Sequence, residues 1–334
     1  MRIKRVANYP LSIAVFAGRT AWESYARGGK YIVPTDNINK NDYNFLFTLF
    51  NNLKHWSVAE HLWYTFEIGF SNENKMYETL SYVKNEYNFF SKIKDRNAVI
   101  FSVNLRTILE ELNDSYEGSV FIKDFYRLLI SHLPGIHRML IEKEKYDEKK
   151  VFEETENSSI ETFESVNMEN RTGHKVSVLY KQQISGYKFD FERRPHVFYT
   201  LFIENFSRAV LQEIIRHDDL LAATVKSSRF TLKELKEEKA DVESMKKYVI
   251  SPENDEIKES QIKSLATIKN LLNKNVKIDK IKYMLPEGYK TKAVLTYNVK
   301  NLDNLIKLRT ESSTKVLWEF YELAELIRKI KKEV

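Results

Sequence analysis

This sequence predicts a mixed α/β fold, on three observations. Apolar residues at helical spacing alternate along the 334 residues with short β-branched and aromatic runs. Hydrophobic residues make up 43% of the chain and charged residues 30%, a balance that buries a core and keeps a solvated surface. No apolar run approaches the roughly 20 residues of a membrane span.

Taken in order, Tyr9-Pro10-Leu11 to Tyr25 reads as a short strand or turn and an amphipathic helix, stopped by Gly28-Gly29. Residues 40–54 predict a second helix. Ser57-Val58-Ala59-Glu60-His61 leads into Leu62-Trp63-Tyr64-Thr65-Phe66-Glu67-Ile68, whose aromatic and β-branched content predicts a strand. Helical spacing covers 75–95 and 118–144, the latter interrupted at Pro134-Gly135. Between them Ala98-Val99-Ile100-Phe101-Ser102-Val103 predicts a strand, and Asn104-Leu105-Arg106 opens a helix. Residues 146–175, rich in Glu, Asn and Ser, read as an excursion. A strand near 196–203 and a helix over 207–217 follow, then a helix over 256–275. A strand over 293–297, a helix from Asn298 through Arg309 and a long amphipathic helix over 314–332 close the chain.

Two internal echoes stand out. His61-Leu-Trp-Tyr64-Thr65-Phe-Glu-Ile68 recurs as His196-Val-Phe-Tyr199-Thr200-Leu-Phe-Ile203, and a strand followed by Asn104-Leu-Arg106 recurs as a strand followed by Asn298-Val-Lys300. Chance convergence of strand patterns or a partial internal duplication would each produce them.

Composition narrows the chemistry. The formal charge is +6, which suits anionic ligands. Many Lys alternate with Glu, as in Lys233-Glu234-Leu235-Lys236-Glu237-Glu238-Lys239, and read as solvated helix faces. With nine Gly and no phosphate-cradling glycine loop, a nucleotide would be held by side chains and helix ends. The chain has no Cys, which excludes disulfides, thiolate metal sites and a cysteine nucleophile. His132 and His137 flank Pro134-Gly135 without acidic neighbours, so no metal site is expected. Met1-Arg2-Ile3-Lys4-Arg5 leads into no signal-peptide core, and a cytoplasmic location with no membrane partner is expected. The aromatics fall at core spacings, and no nucleic-acid platform is expected from them.

The stretch with most chemical content is Ser207-Arg208-Ala209-Val210-Leu211-Gln212-Glu213-Ile214-Ile215-Arg216-His217, followed by Lys226-Ser227-Ser228-Arg229-Phe230. A helix-borne guanidinium and imidazole beside a small-residue turn with two hydroxyls and another Arg suit an anion such as a nucleotide phosphate. Arg216 at a helix C-terminus is equally a good helix cation, and a Ser in a turn is ordinarily a backbone cap. Glu213 lies three residues before Arg216, so the two share a face.

This arrangement resembles the hallmark of the flavin-dependent thymidylate synthases, the ThyX family: Arg-His-Arg, a connector, then Ser, with Arg and an aromatic after it. Ser227-Ser228-Arg229-Phe230 matches the second half. In the first half Asp218 stands where the family has its second Arg, and the connector is one residue longer. Further likeness lies in Tyr9-Pro10-Leu11 and Arg19-Thr20-Ala21-Trp22, in His55-Trp56-Ser57-Val58-Ala59-Glu60-His61 with Tyr64-Thr65-Phe66, and in Leu285-Pro286-Glu287-Gly288-Tyr289-Lys290-Thr291.

The resemblance implies an antiparallel-rich sheet flanked by helices in a single domain over 1–334, interrupted by a largely helical insertion at about 70–195. It implies a homotetramer that converts dUMP to dTMP with FAD, methylenetetrahydrofolate as carbon donor and NADPH as reductant. No covalent thiolate is needed, in keeping with the absence of Cys. Ser227 and Arg229 are then the catalytic candidates. The dUMP site would comprise Glu213, Arg216, Ser227, Ser228, Arg229, Lys282 and Arg309. The FAD site would comprise His61, His217, Asn298, Lys300 and Asn304, with His61 preferred over His196 because it follows a Glu. Lys282 and Lys300 stand where the family has Arg. Asp218 and the longer connector leave room for a related flavoenzyme acting on another pyrimidine nucleotide, for instance by hydroxymethylation. A non-catalytic nucleotide- or nucleic-acid-binding descendant is the other alternative.

Overall fold

The computed structural model describes residues 1–27, 34–85, 88–113, 119–148, 165–192, 196–217, 220–239, 241–311 and 317–334. Strand β1 (Arg2–Asn8) opens the chain, its residues lying before the segment expected to begin the fold. Helix α1 (Leu11–Trp22) is buried continuously from Leu11 to Thr20, so it is a core helix and not an amphipathic one. Its first amide, on Leu11, donates to Asp36 Oδ1 at 2.8 Å in place of a cap from Pro10. The helix stops at Glu23, which adopts the left-handed conformation (φ 48°); the expected glycine stop at 28–29 lies outside the described residues. Next come α2 (Lys40–Phe47), β2 (Trp63–Gly69) and α3 (Glu73–Val83).

The expected helix over 75–95 is shorter than its spacing suggested. Asn88 Nδ2 donates to the Val83 carbonyl, and β3 (Asn88–Ile93) pairs with β4 (Ala98–Asn104). Helices α4 (Leu105–Glu111), α5 (Val120–Ile130) and α6 (Gly135–Ile141) follow, then strands β5 (Val166–Glu169), β6 (Lys175–Gln182), β7 (Phe189–Glu192) and β8 (Phe198–Ser207). The 70–195 stretch thus carries α3–α6 and also β3–β7. Helix α7 (Arg208–Ile215) leads to β9 (Leu220–Val225), the short α8 (Ser228–Thr231) and α9 (Val242–Lys246). Helices α10 (Asp255–Asn273) and α11 (Ile278–Ile281), β10 (Lys290–Asn298), α12 (Val299–Thr310) and α13 (Trp318–Glu333) end the chain.

Two five-stranded sheets result, ordered β1-β2-β4-β3-β7 and β5-β6-β8-β10-β9, and their pairings are antiparallel. The echoing segments occupy equivalent places in them. In the first sheet Trp63 pairs with Asn104 and Thr65 with Ser102; in the second Phe198 pairs with Asn298 and Thr200 with Thr296. Asn104 and Asn298 each end a strand and cap the helix that follows, accepting from the amides of Thr107 and Lys300.

Side chains are exchanged across the seam between the sheets. His61, just before β2, places Nδ1 2.8 Å from Thr296 Oγ1 and Nε2 3.0 Å from Thr224 Oγ1, both in the second sheet. His196, just before β8, places Nδ1 2.7 Å from Ser102 Oγ and Nε2 3.0 Å from Ser91 Oγ, both in the first. Between the two histidines Trp63 stacks on Phe198 at 4.5 Å between centroids and on Phe89 at 5.1 Å. Elsewhere in the core His137 bridges Tyr64 and Asp36, at 2.8 Å on each ring nitrogen.

Burial holds both seam imidazoles neutral, at a pKa of about 3. In the unfolded chain each takes a proton below about pH 6.5. Stability is therefore full above that pH and falls as the pH drops toward 3, by about 1.4 kcal/mol per pH unit for each histidine. Denaturant midpoints between pH 7 and 5 test this: His61→Gln should lower the slope by one histidine's share, and an unchanged slope would refute the assignment.

Candidate functional site

Helix α7 starts where β8 ends: Ser207 accepts the Val210 amide, and its own amide donates to the buried carboxylate of Glu319 at 2.7 Å. This fixes the direction in which α7 presents Glu213, Arg216 and His217. Helix α12, launched by the Asn298 cap, brings Arg309 to the same place. Arg309 Nη2 lies 3.3 Å from Glu213 Oε2 and 2.8 Å from His217 Nε2. The guanidinium sits 4.6 Å over the Phe320 ring, while its Nε is buried with no hydrogen-bond partner among the described residues. Arg216, with its side chain 79% exposed, reaches Glu213 only at 3.9 Å. Four predicted residues, Glu213, Arg216, His217 and Arg309, are thus one cluster. Asp218 lies outside the described residues.

A guanidinium has five donor hydrogens in a fixed fork, so Arg309, whose side chain is 19% exposed, can meet more partners than the two it holds. Glu213 competes for that fork, so an incoming anion must displace or share it. The Phe320 face beneath holds the cation in a weakly hydrated setting.

The Ser-Ser-Arg turn forms a second group. Ser227 occupies the position before α8 in extended conformation, and its amide donates to the Ala21 carbonyl at 2.9 Å. Arg229 Nε donates to Asp279 Oδ1 at 3.0 Å, with both side chains 60% exposed. Such a pair is solvent-screened and readily exchanged. Asp279 lies on α11, directly before Lys282, so the structure places the predicted Arg229 and Lys282 on neighbouring elements.

Among the flavin-side candidates, Asn298 is buried and accepts the Lys300 amide at 2.9 Å, whereas Lys300 and Asn304 lie on the exposed face of α12. His61 is fully buried, with a hydroxyl at each ring nitrogen, and offers no surface. The structure places it in the core, while Lys300 and Asn304 are exposed and His217 meets Arg309.

Two features escaped the sequence reading. Glu23, Lys226, Glu234, Tyr289 and Lys292 form an ion network beside the Ser-Ser-Arg turn, joined over sequence separations that no local pattern reveals. A cavity of about 650 Å³ is lined by Lys246, Ser251, Lys258, Lys290 and Trp318 among others, apart from the predicted residues.

Antiparallel sheets, flanking helices and two separate cation groups define an α/β protein. The family described as thymidylate synthase complementing protein matches residues 145–334, and the chain belongs to that family. The match takes in the second sheet and α7–α13 and leaves β1–β4 outside. The chain is 41% identical over 136 residues to the flavin-dependent thymidylate synthase of Campylobacter jejuni strain RM1221, covering 40% of this chain and 64% of that protein. Its namesake in Wolinella succinogenes is 40% identical over 136 residues, covering 40% of this chain and 65% of that one. The matches therefore span less than two thirds of these relatives' length. Among solved structures, ThyX from Helicobacter pylori with FAD and dUMP aligns over 98% of this chain and 92% of its own, at 20% identity and a TM-score of 0.36. A UMP/dUMP methylase, PolB from Streptomyces cacaoi bound with 5-Br dUMP, aligns over 41% and 67%, at 14% identity and a TM-score of 0.32.

Gly288, in the turn before β10, admits no side chain: a Cβ there would sit 2.3 Å from the Ile250 carbonyl oxygen, whose own amide donates to Gly288. Gly288→Ala should destabilise the protein by more than about 1 kcal/mol, because backbone must move. A thermal midpoint equal to that of the wild type would contradict this.

Proposed function

We propose that this chain is an FAD-dependent thymidylate synthase that converts dUMP to dTMP, with methylenetetrahydrofolate as carbon donor and NADPH as reductant. The observation that carries the reading is the Arg309 cluster. A sheltered guanidinium paired with Glu213 and His217, with Arg216 alongside, lies inside the family-matched segment. In this reading Arg216, Arg229, Lys282 and Arg309 neutralise the nucleotide's phosphate and orient it, with Glu213, Ser227 and Ser228 offering hydrogen bonds to the rest of the molecule. Ser227 acts nearest the base, and Arg229, the other catalytic candidate, acts from the phosphate side. His217, Asn298, Lys300 and Asn304 line the flavin, and His61 supports the strands behind it. The relatives' name and the ThyX complex with FAD and dUMP support this choice of ligands.

Exposed Lys300 and Asn304 lie in the first two turns of the helix that Asn298 caps, where an ammonium and an amide would meet an anionic dinucleotide. FAD, when bound and reduced by NADPH, would supply the hydride that turns the transferred methylene into a methyl group. The chain contributes fixed positive charge that draws electron density from the pyrimidine, since it has no thiolate to attack it. We further propose one functional unit over 1–334, with the 70–195 stretch as an elaboration of it, acting in the cytoplasm as a homotetramer. Replacement of the family Arg by Asp218 favours hydroxymethyl transfer or another pyrimidine nucleotide as the second reading.

Anaerobic incubation with FAD, NADPH, methylenetetrahydrofolate and dUMP, followed by mass spectrometry of the nucleotide, tests this. A gain of one CH2 is expected. Arg229→Ala should raise the KM for dUMP about tenfold or more, the loss of one charge-assisted contact, without moving the thermal midpoint. A gain of CH2O would select hydroxymethylation, and no product from a flavin-free protein would overturn the enzyme reading.

A further inference from the structure

We propose that Glu23, on the part of the chain outside the family match, is a positioning residue for the Ser227–Arg229 turn; this rests on the proposed function above. Glu23 is the residue at which α1 ends, turned into the left-handed conformation. Its Oε1 lies 2.7 Å from Lys292 Nζ and its Oε2 lies 3.3 Å from Lys226 Nζ. Lys226 directly precedes Ser227, and its side chain is only 9% exposed. It is also gripped by both oxygens of Glu234, at 2.9 and 3.1 Å. Glu234 in turn accepts the Tyr289 hydroxyl at 2.7 Å, tying the network to the turn that precedes β10.

The backbone follows the same route. The Ser227 amide donates to the Ala21 carbonyl at 2.9 Å, and the Lys226 amide donates to the Lys292 carbonyl at 2.9 Å. The turn that carries two hydroxyls and Arg229 is therefore fastened at its first residue from two sides. One side is the end of α1, and the other is β10. Lys226 cannot leave its carboxylates without stranding a nearly buried ammonium, so it is a fixed anchor. Two lysines and two glutamates also cancel in charge. The network thus fixes the turn without drawing on Arg229, whose exposed pair with Asp279 stays exchangeable. Burial of Glu23 alone would raise its pKa; its lysines outweigh this and hold it ionised, below the ordinary glutamate range.

The test is Glu23→Gln in the full chain, which keeps the shape and removes the charge. Hydrogen–deuterium exchange should quicken in peptides spanning 226–231 and stay unchanged in β2 and β8, with dUMP affinity falling about tenfold. In a double-mutant cycle with Lys226→Met the two effects should be less than additive, since the side chains share one ion pair. Unchanged exchange at 226–231 would overturn the proposal. So would faster exchange with undiminished dUMP binding, or fully additive effects. If the wild-type protein binds no dUMP, the proposed function fails by itself, and the proposal stands refuted as a statement about that site; the exchange data separate this from a failure of Glu23 to hold the turn. Where Glu23→Gln does not fold, Lys292→Met, which removes the other lysine from Glu23, gives the same readouts.

Discussion

The seam where two histidines cross between sheets sets the geometry on which everything else hangs. His61 spans Thr224 and Thr296, and His196 spans Ser91 and Ser102. A buried imidazole with both nitrogens engaged has one acceptable orientation, because any rotation strands a polar atom in the core. Each ring therefore aligns three strands: its own and two of the opposite sheet. With Trp63, Phe89 and Phe198 stacked between them, the two sheets cannot slide without breaking all of these contacts at once. The register of β8 against β10 follows, and with it the starting points of α7 and α12. These are the helices that bring Glu213, His217 and Arg309 together.

The two sheets are alike in frame and unlike in use. Each has a strand that pairs, at a hydroxyl residue, with a second strand ending in an Asn that caps a helix. In the second sheet the helices after those strands carry the cation cluster. In the first sheet the corresponding places carry Asn104 with α4, and α3 with its exposed tyrosines Tyr77 and Tyr82. The first sheet instead contributes α1, a helix buried along most of its length against β9 and β10. Its C-terminal end lies under the Ser-Ser-Arg turn. That contact explains how sequence lying outside the family match can still bear on a surface that lies inside it.

The parts legible in the sequence were those that local pattern controls. β2, β4, β8, β10, α10, α12 and α13 stand where spacing put them, because each shows an uninterrupted run with a recognisable start such as Asn298. β3 was hidden by the helical spacing that precedes it. β1 and β9 were hidden because Arg2-Ile3-Lys4-Arg5 and Leu220-Leu221-Ala222-Ala223 have weak strand character until a neighbour pairs with them. Glu213, Arg216 and Arg309 could be grouped from the order of motifs, whereas His217, which that order assigns to a separate flavin set, is placed against Arg309 by the structure. The placing of His61 was not legible: a histidine after a glutamate looks alike whether it faces a ligand or two threonines, and Thr224 and Thr296 are distant in sequence.

The contrast between the two cation groups bears on how a binding surface of this kind works. Arg309 is partly sheltered, sits on an aromatic face and is already paired, so an anion reaching it exchanges one partner for another with little change in hydration. Arg229 and Arg216 are mostly exposed, with weak or screened pairs, and in the proposed reading they meet the phosphate first. An exposed arginine gains little from a ligand if its own backbone wanders, because ordering it costs conformational entropy at the moment of binding. Anchoring the chain just before Ser227 meets that cost during folding. On the proposed reading, the buried Lys226 network and the exposed Arg229 are complementary: the first takes up the ordering of the turn, and the second exchanges Asp279 for the ligand.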